Sequence, residues 1–183
     1  MAHPETLALI ARIREEFPAF RIIPKAESRL NRAIHWALFA ITLGGQRSYL
    51  TAYSTVLGDT LYTWAGWEQM TGEEQVILLR HEWVHLRQRR RYTTLGMAWL
   101  YLVPLFPLGL AYGRARIEWE AYAETLRATH ELKGRAAARD PALKRQIVGR
   151  FTGPAYGWMW PFPRQVGRWY DQVLEELDGA DAN

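Results

Sequence analysis

The run Tyr92–Gly113 is 22 residues long without one charged side chain, and it decides which folds are open to this chain. By length alone it matches the ~20 apolar residues that a membrane-crossing helix needs. Pro104 and Pro107 stand in its middle, where each removes a backbone donor and crowds the preceding turn. Two short arms, Thr94–Val103 and Leu105–Tyr112, folded back at the prolines, are therefore expected instead. Packing of this hairpin onto the domain is the default. The alternatives are peripheral membrane contact through residues 94–112 and a cover over an apolar substrate cleft, since an exposed patch of that size needs a purpose.

The remaining residues are those of an ordinary globular chain. With 183 residues, 49% hydrophobic and 23% charged, one domain spanning 1–183 is expected rather than a disordered chain. Pro4–Phe17 has the spacing of an amphipathic helix, with Leu7, Ile10, Ala11 and Ile13 on one side. Its five charged residues leave no apolar leader, so a cytoplasmic protein, at most peripheral to a membrane, is expected. Pro18 and Pro24 break the pattern, and Ala26–Phe39 is helical again. Tyr49–Leu57 and Thr60–Trp64 flank Gly58-Asp59 and read as a β-hairpin. Arg114–Lys133, Arg139–Arg150 and Gln165–Leu177 read as helices, with a loop rich in Gly, Pro and Trp at Gly153–Pro163. Trp158–Pro163 forms a second apolar, aromatic surface, for which core packing is the default. The expected class is α+β, dominated by helices, with a small β element ahead of the central helix.

That central helix has the clearest start in the sequence. Thr71-Gly72-Glu73-Glu74 fits a capping box, and the helix is expected to run through Arg91, where a basic cluster suits the negative end of the helix dipole. Inside it lies His81-Glu82-Trp83-Val84-His85, an HExxH motif. Residues four apart share one helix face, so both imidazoles can reach one metal ion from a single rigid support. Glu82 lies further round, placed to take a proton from a water at the metal rather than to ligate it. A zinc hydrolase needs a third protein ligand and an open position. The chain has no cysteine, so the candidates are His130 and the acidic residues after the motif, among which Glu118–Glu124 stands out. Ala121 and Ala123 there allow close approach of two helices.

These residues resemble the gluzincin zinc metallopeptidases, in which HExxH on one helix is completed by a Glu on a later one. In several branches that Glu opens a Glu-x-x-Ala-Asp pattern, which Glu118-Trp119-Glu120-Ala121-Tyr122 matches except at its last position. The resemblance covers Tyr49–Arg127, within a metal-site core of about 49–133. It implies a minimal zincin-like domain, one Zn2+ per chain, and Glu118 as third ligand beside His81 and His85. Tyr122 stands where the family Asp steadies a ligating His, leaving Glu124 or a backbone carbonyl to take that part. Glu120 is the rival ligand; it lies roughly 200° from Glu118 around the helix, so both cannot face the metal.

A membrane span and this site exclude each other. His85 lies seven residues before the uncharged run and Glu118 five after it, so a span would leave them on opposite sides of a core about 30 Å thick.

The expected activity is peptide-bond hydrolysis of a peptide or protein substrate, with a zinc-activated water and Glu82 as general base. Tyr156, Tyr122 or His130 would stabilise the transition state, and the strand Thr60–Trp64 would hold an extended substrate. The alternatives are a non-catalytic zinc-containing binding or regulatory protein and, from Arg87–Arg91 and the net charge of +4, a nucleic-acid-binding protein. Nucleic acid is not an expected partner, because the arginines already suit a helix C-terminus and 19 acidic residues dilute the field.

Overall fold

The computed structural model describes residues 3–28, 54–102, 111–153 and 159–181. They fall into two compact units, Met1–Glu82 and Trp83–Asn183, and the division lies inside one helix. The class is α+β, helix-dominated with one three-stranded sheet.

In the first unit, helix α1 (Pro4–Glu16) starts on a proline, whose missing donor costs nothing in a first turn. Its buried residues are Thr6, Leu9 and Ile13, whereas Leu7 is 52% exposed. The inner face is thus rotated from the expected Leu7, Ile10, Ala11 and Ile13. Leu9 and Ile13, four apart, continue into the buried Phe17 and Phe20, and this longer apolar line sets the face.

Strands β1 (Arg21–Pro24), β2 (Thr55–Leu57) and β3 (Thr60–Thr63) form a sheet in the order β1-β3-β2. The expected hairpin is present in β2 and β3, turning at Gly58 in the left-handed region, where a side chain would be strained. Its residues 49–53 lie outside the described ones. β1 was expected as a break between helices. It pairs in parallel with β3, Arg21 opposite Thr60 and Pro24 opposite Thr63, a partner too distant in sequence to leave a local sign. The helix expected over Ala26–Phe39 does not begin there: Lys25–Glu27 is a 3-10 turn and Ser28 is extended. Residues 29–39 lie outside the described ones. Because β3 is paired on both edges, Thr60–Thr63 has no free edge to bind an extended substrate, which overturns that expectation.

Helix α2 (Gly72–Leu102) opens with the expected capping box. The Thr71 N–H donates to Glu74 Oε2 at 3.0 Å, and the Glu74 N–H donates to Thr71 Oγ1 at 3.3 Å. Just inside, the buried Gln75 amide donates to the Trp67 carbonyl at 2.9 Å. Two residues past the expected end at Arg91 the helical path breaks at Thr93 (φ 62°, ψ 165°). A β-branched residue is strained there. Its Oγ1 accepts the Gly96 N–H at 3.3 Å, so Thr93 caps a fresh segment reaching Leu102.

In the second unit follow α3 (Tyr112–Lys133), α4 (Arg135–Ala138), α5 (Pro141–Thr152) and α6 (Pro163–Asp181). The Asp140 side chain caps α5 by accepting the Ala142 N–H at 2.8 Å. The core joins Trp119 and Leu126 of α3, Ile147 and Phe151 of α5, and Val166 and Tyr170 of α6. Trp119 lies 5.9 Å from Phe151 and 5.5 Å from Trp169, ring centre to ring centre. Met159 is buried and Trp160 packs against this core, as expected, while Trp158 lies outside the described residues.

The uncharged run returns on itself. A Cβ added to Gly113 would lie 2.7 Å from Leu100 Cδ2 and 3.5 Å from the Leu100 carbonyl oxygen, so the start of α3 lies close against Leu100. Pro104 and Pro107 lie outside the described residues. Among those described, no helix is long and apolar enough to cross a membrane.

Replacing Thr71 with alanine removes one half of the capping box. The variant is expected to lose about 1 kcal/mol of stability. In urea unfolding this reads as a lower midpoint at unchanged slope, with Glu73→Ala, which makes no cap, as the near-neutral control.

Candidate metal centre

The candidate site is built outward from α2. The helix is continuous from Gly72 to its break at Thr93, so His81 stands one turn ahead of His85 on the same face. Helix α3 supplies Glu118, which is buried beneath that face. His85 Nε2 and Glu118 Oε2 are 3.9 Å apart. One ligand atom from each of His81, His85 and Glu118 can be chosen so that all three lie within 4.8 Å of one another.

Gln88 determines which nitrogen of His85 faces Glu118. Its amide nitrogen donates to the Ile117 carbonyl at 3.0 Å and to Glu120 Oε2 at 2.8 Å. Both amide protons are then engaged, and the amide oxygen, 2.9 Å from His85 Nδ1, can only accept. His85 therefore carries its proton on Nδ1 and turns the Nε2 lone pair toward Glu118. Two imidazoles and a carboxylate are donor types that zinc accepts, and three protein ligands leave one position open. The donor set and the imposed tautomer both fit a metal of this kind.

Glu120, the rival ligand, instead holds Gln88 and lies 3.9 Å from Arg116. The work expected of Glu124 or a carbonyl in place of the family Asp is done by Gln88; Glu124 pairs with Arg127 at 4.0 Å. His130 belongs to the other end of α3, its Nε2 3.2 Å from Asp181. The Tyr122 ring packs 5.5 Å from Phe151. Neither is brought into the ligand group, and Tyr156 lies outside the described residues. Gln88 was legible only as part of an arginine run, although its position three residues after His85 puts it on the histidine face.

Glu82 is not a member of the ligand group and is 6% exposed. Lys25 is 1% exposed, and among the described residues of the first unit it and Glu82 are the only buried charged side chains. Burial lowers the Lys25 ammonium from 10.5 to about 8, while the negative charge of Glu82 acts to raise it. In return the ammonium favours the ionised form of Glu82. Nothing in the sequence marked Lys25, since a lysine after Ile-Ile-Pro reads as a surface residue.

No family model, curated protein or solved structure matches this chain.

Replacing Gln88 with leucine leaves His85 in place but frees its ring to rotate and change tautomer. Any affinity of the group for added zinc is expected to fall by about 10- to 100-fold, measured by competition with a chromophoric chelator.

Lys25 makes the stability of the metal-free protein depend on pH. Between about pH 8 and 10.5 the unfolded chain holds the Lys25 proton and the folded chain releases it, so stability rises with pH across that window. Urea unfolding should show a rise of up to about 1.4 kcal/mol per pH unit that is absent in Lys25→Met.

Proposed function

We propose that this protein is a zinc-dependent peptidase of the gluzincin type, with one Zn2+ per chain held by His81, His85 and Glu118. The observation that carries the reading is the convergence of these three side chains, with Gln88 holding the His85 lone pair toward the group. When bound, zinc supplies a Lewis acid that lowers the pKa of water and polarises a carbonyl oxygen.

The rest of the chemistry belongs to the chain. Glu82, one residue after the first ligand, accepts the proton of the attacking water on its carboxylate and passes it to the leaving amine. The positive charge of Lys25 acts in favour of the ionised carboxylate, the form able to accept a proton. His81 and His85 are held by one helix and Glu118 by another, so the site needs no loop closure to assemble its ligands. The substrate is a peptide or protein, bound without strand addition to β3. A cytoplasmic location accords with the absence of cysteine, which a reducing compartment does not require.

Metal analysis of the purified full chain is expected to find one zinc, lost or strongly weakened in His81→Ala and Glu118→Ala. Glu82→Gln should keep the metal while hydrolysis of a peptide library falls by about 10²- to 10⁴-fold. A folded protein that takes up no zinc on reconstitution overturns the reading. One that binds zinc through the three ligands and cleaves nothing is a zinc-containing binding protein instead.

A further inference from the structure

The residues between Glu82 and Glu118 hold six arginines and no acidic side chain, and all the arginines lie outside the uncharged run. Four precede the run (Arg87, Arg89, Arg90, Arg91) and two follow it (Arg114, Arg116). Of these, Arg87, Arg90 and Arg91 are exposed and share one face of α2, at the spacing of three and four residues. Arg87 stacks over Trp83, its guanidinium carbon 4.0 Å from the ring centre, so it covers apolar surface while keeping its charge outward.

Beyond the break at Thr93 the surface changes character. Leu95 is 84% exposed and Trp99 66%, and four residues apart they face the same way. Gly113 lies against Leu100, and the neighbouring Tyr112, though exposed, packs its ring 5.3 Å from that of Trp160. Along the chain a basic stretch of α2 is thus followed by an apolar segment carrying Trp, a residue enriched at the boundary between lipid headgroups and acyl chains. The arm from Thr94 to Leu102 is too short to cross a bilayer and has the length of an interfacial or re-entrant segment.

We propose that this part of the second unit seats on an anionic membrane surface, with Leu95 and Trp99 entering the headgroup layer and Arg87, Arg90 and Arg91 meeting lipid phosphates. The charge decides the occupant. An acidic lipid surface matches the positive face and the apolar segment together, which a neutral apolar partner does not. The inference stands apart from the proposed peptidase activity, and its test needs neither metal nor substrate.

The full chain is sedimented with vesicles of phosphatidylcholine alone and of phosphatidylcholine with phosphatidylserine, at low and high salt. Binding is expected on the anionic vesicles only, weakening with salt. Leu95→Glu with Trp99→Glu should abolish it; both sites are exposed, and an unchanged circular dichroism spectrum checks the fold. Replacing Arg87, Arg90 and Arg91 together with glutamine should weaken binding by more than about tenfold and flatten its salt dependence. No sedimentation of the folded protein with anionic vesicles overturns the proposal, as does equal binding to neutral ones. So does binding that is indifferent to Leu95 and Trp99, or a self-associating protein that the Leu95 and Trp99 variant renders monomeric without any effect on lipid. Retention on nucleic acid as strong as on vesicles, insensitive to the apolar variant, would reduce the arginines to a general polyanion site and overturn it too.

Discussion

The approach of Glu118 to within 3.9 Å of His85 is the constraint on which the second unit turns. The two residues are separated by a run with no charge, and the chain must reverse within it for the carboxylate to return to the imidazole. Leu100 and Gly113 are where the return is visible: the backbone of α3 starts close against Leu100 of α2. The core then holds α3 in place. Trp119, the neighbour of Glu118, packs against Phe151 and Trp169, so the orientation of the carboxylate is tied to the interlocking of three helices. A carboxylate carried in this way is positioned by the core of the unit.

Electrostatics follow from that placement. A carboxylate buried against an imidazole is stable only if its charge is shared or answered, and Gln88, itself held by Glu120, fixes the ring so that Nε2 is the atom that meets Glu118. Glu82 is treated differently. Its partner is a buried ammonium in the first unit, and a lone buried lysine would otherwise lose its proton more readily still.

What the sequence reveals and conceals divides along local and distant interactions. The capping box at Thr71, the hairpin around Gly58 and the long helices of the second unit were legible because each is decided by residues within a few positions of one another. The His81–His85 spacing was legible for the same reason, and Glu118 through a resemblance. β1 was not, because its parallel partner arrives only after the residues of β2. Gln88 and Lys25 were hidden by composition: an amide among arginines and a lysine after a proline both read as surface residues, and only the fold reveals that one is buried against Ile117 and the other with Glu82. The inner face of α1 was misjudged because Phe17 and Phe20, beyond its end, extend the apolar line and reset it.

Thr93 has an effect beyond its local strain. A continuous helix transmits every insertion as a rotation of about 100° per residue. The break at Thr93, with its own cap for the following segment, stops that transmission eight residues after His85. The excursion that follows therefore takes its direction from its own cap and not from the turns that carry the histidines. Lengthening it adds only about 0.6 kcal/mol of closure entropy for each doubling. The tip and the histidine-bearing turns can diverge independently, so one scaffold is able to carry excursions suited to different surroundings.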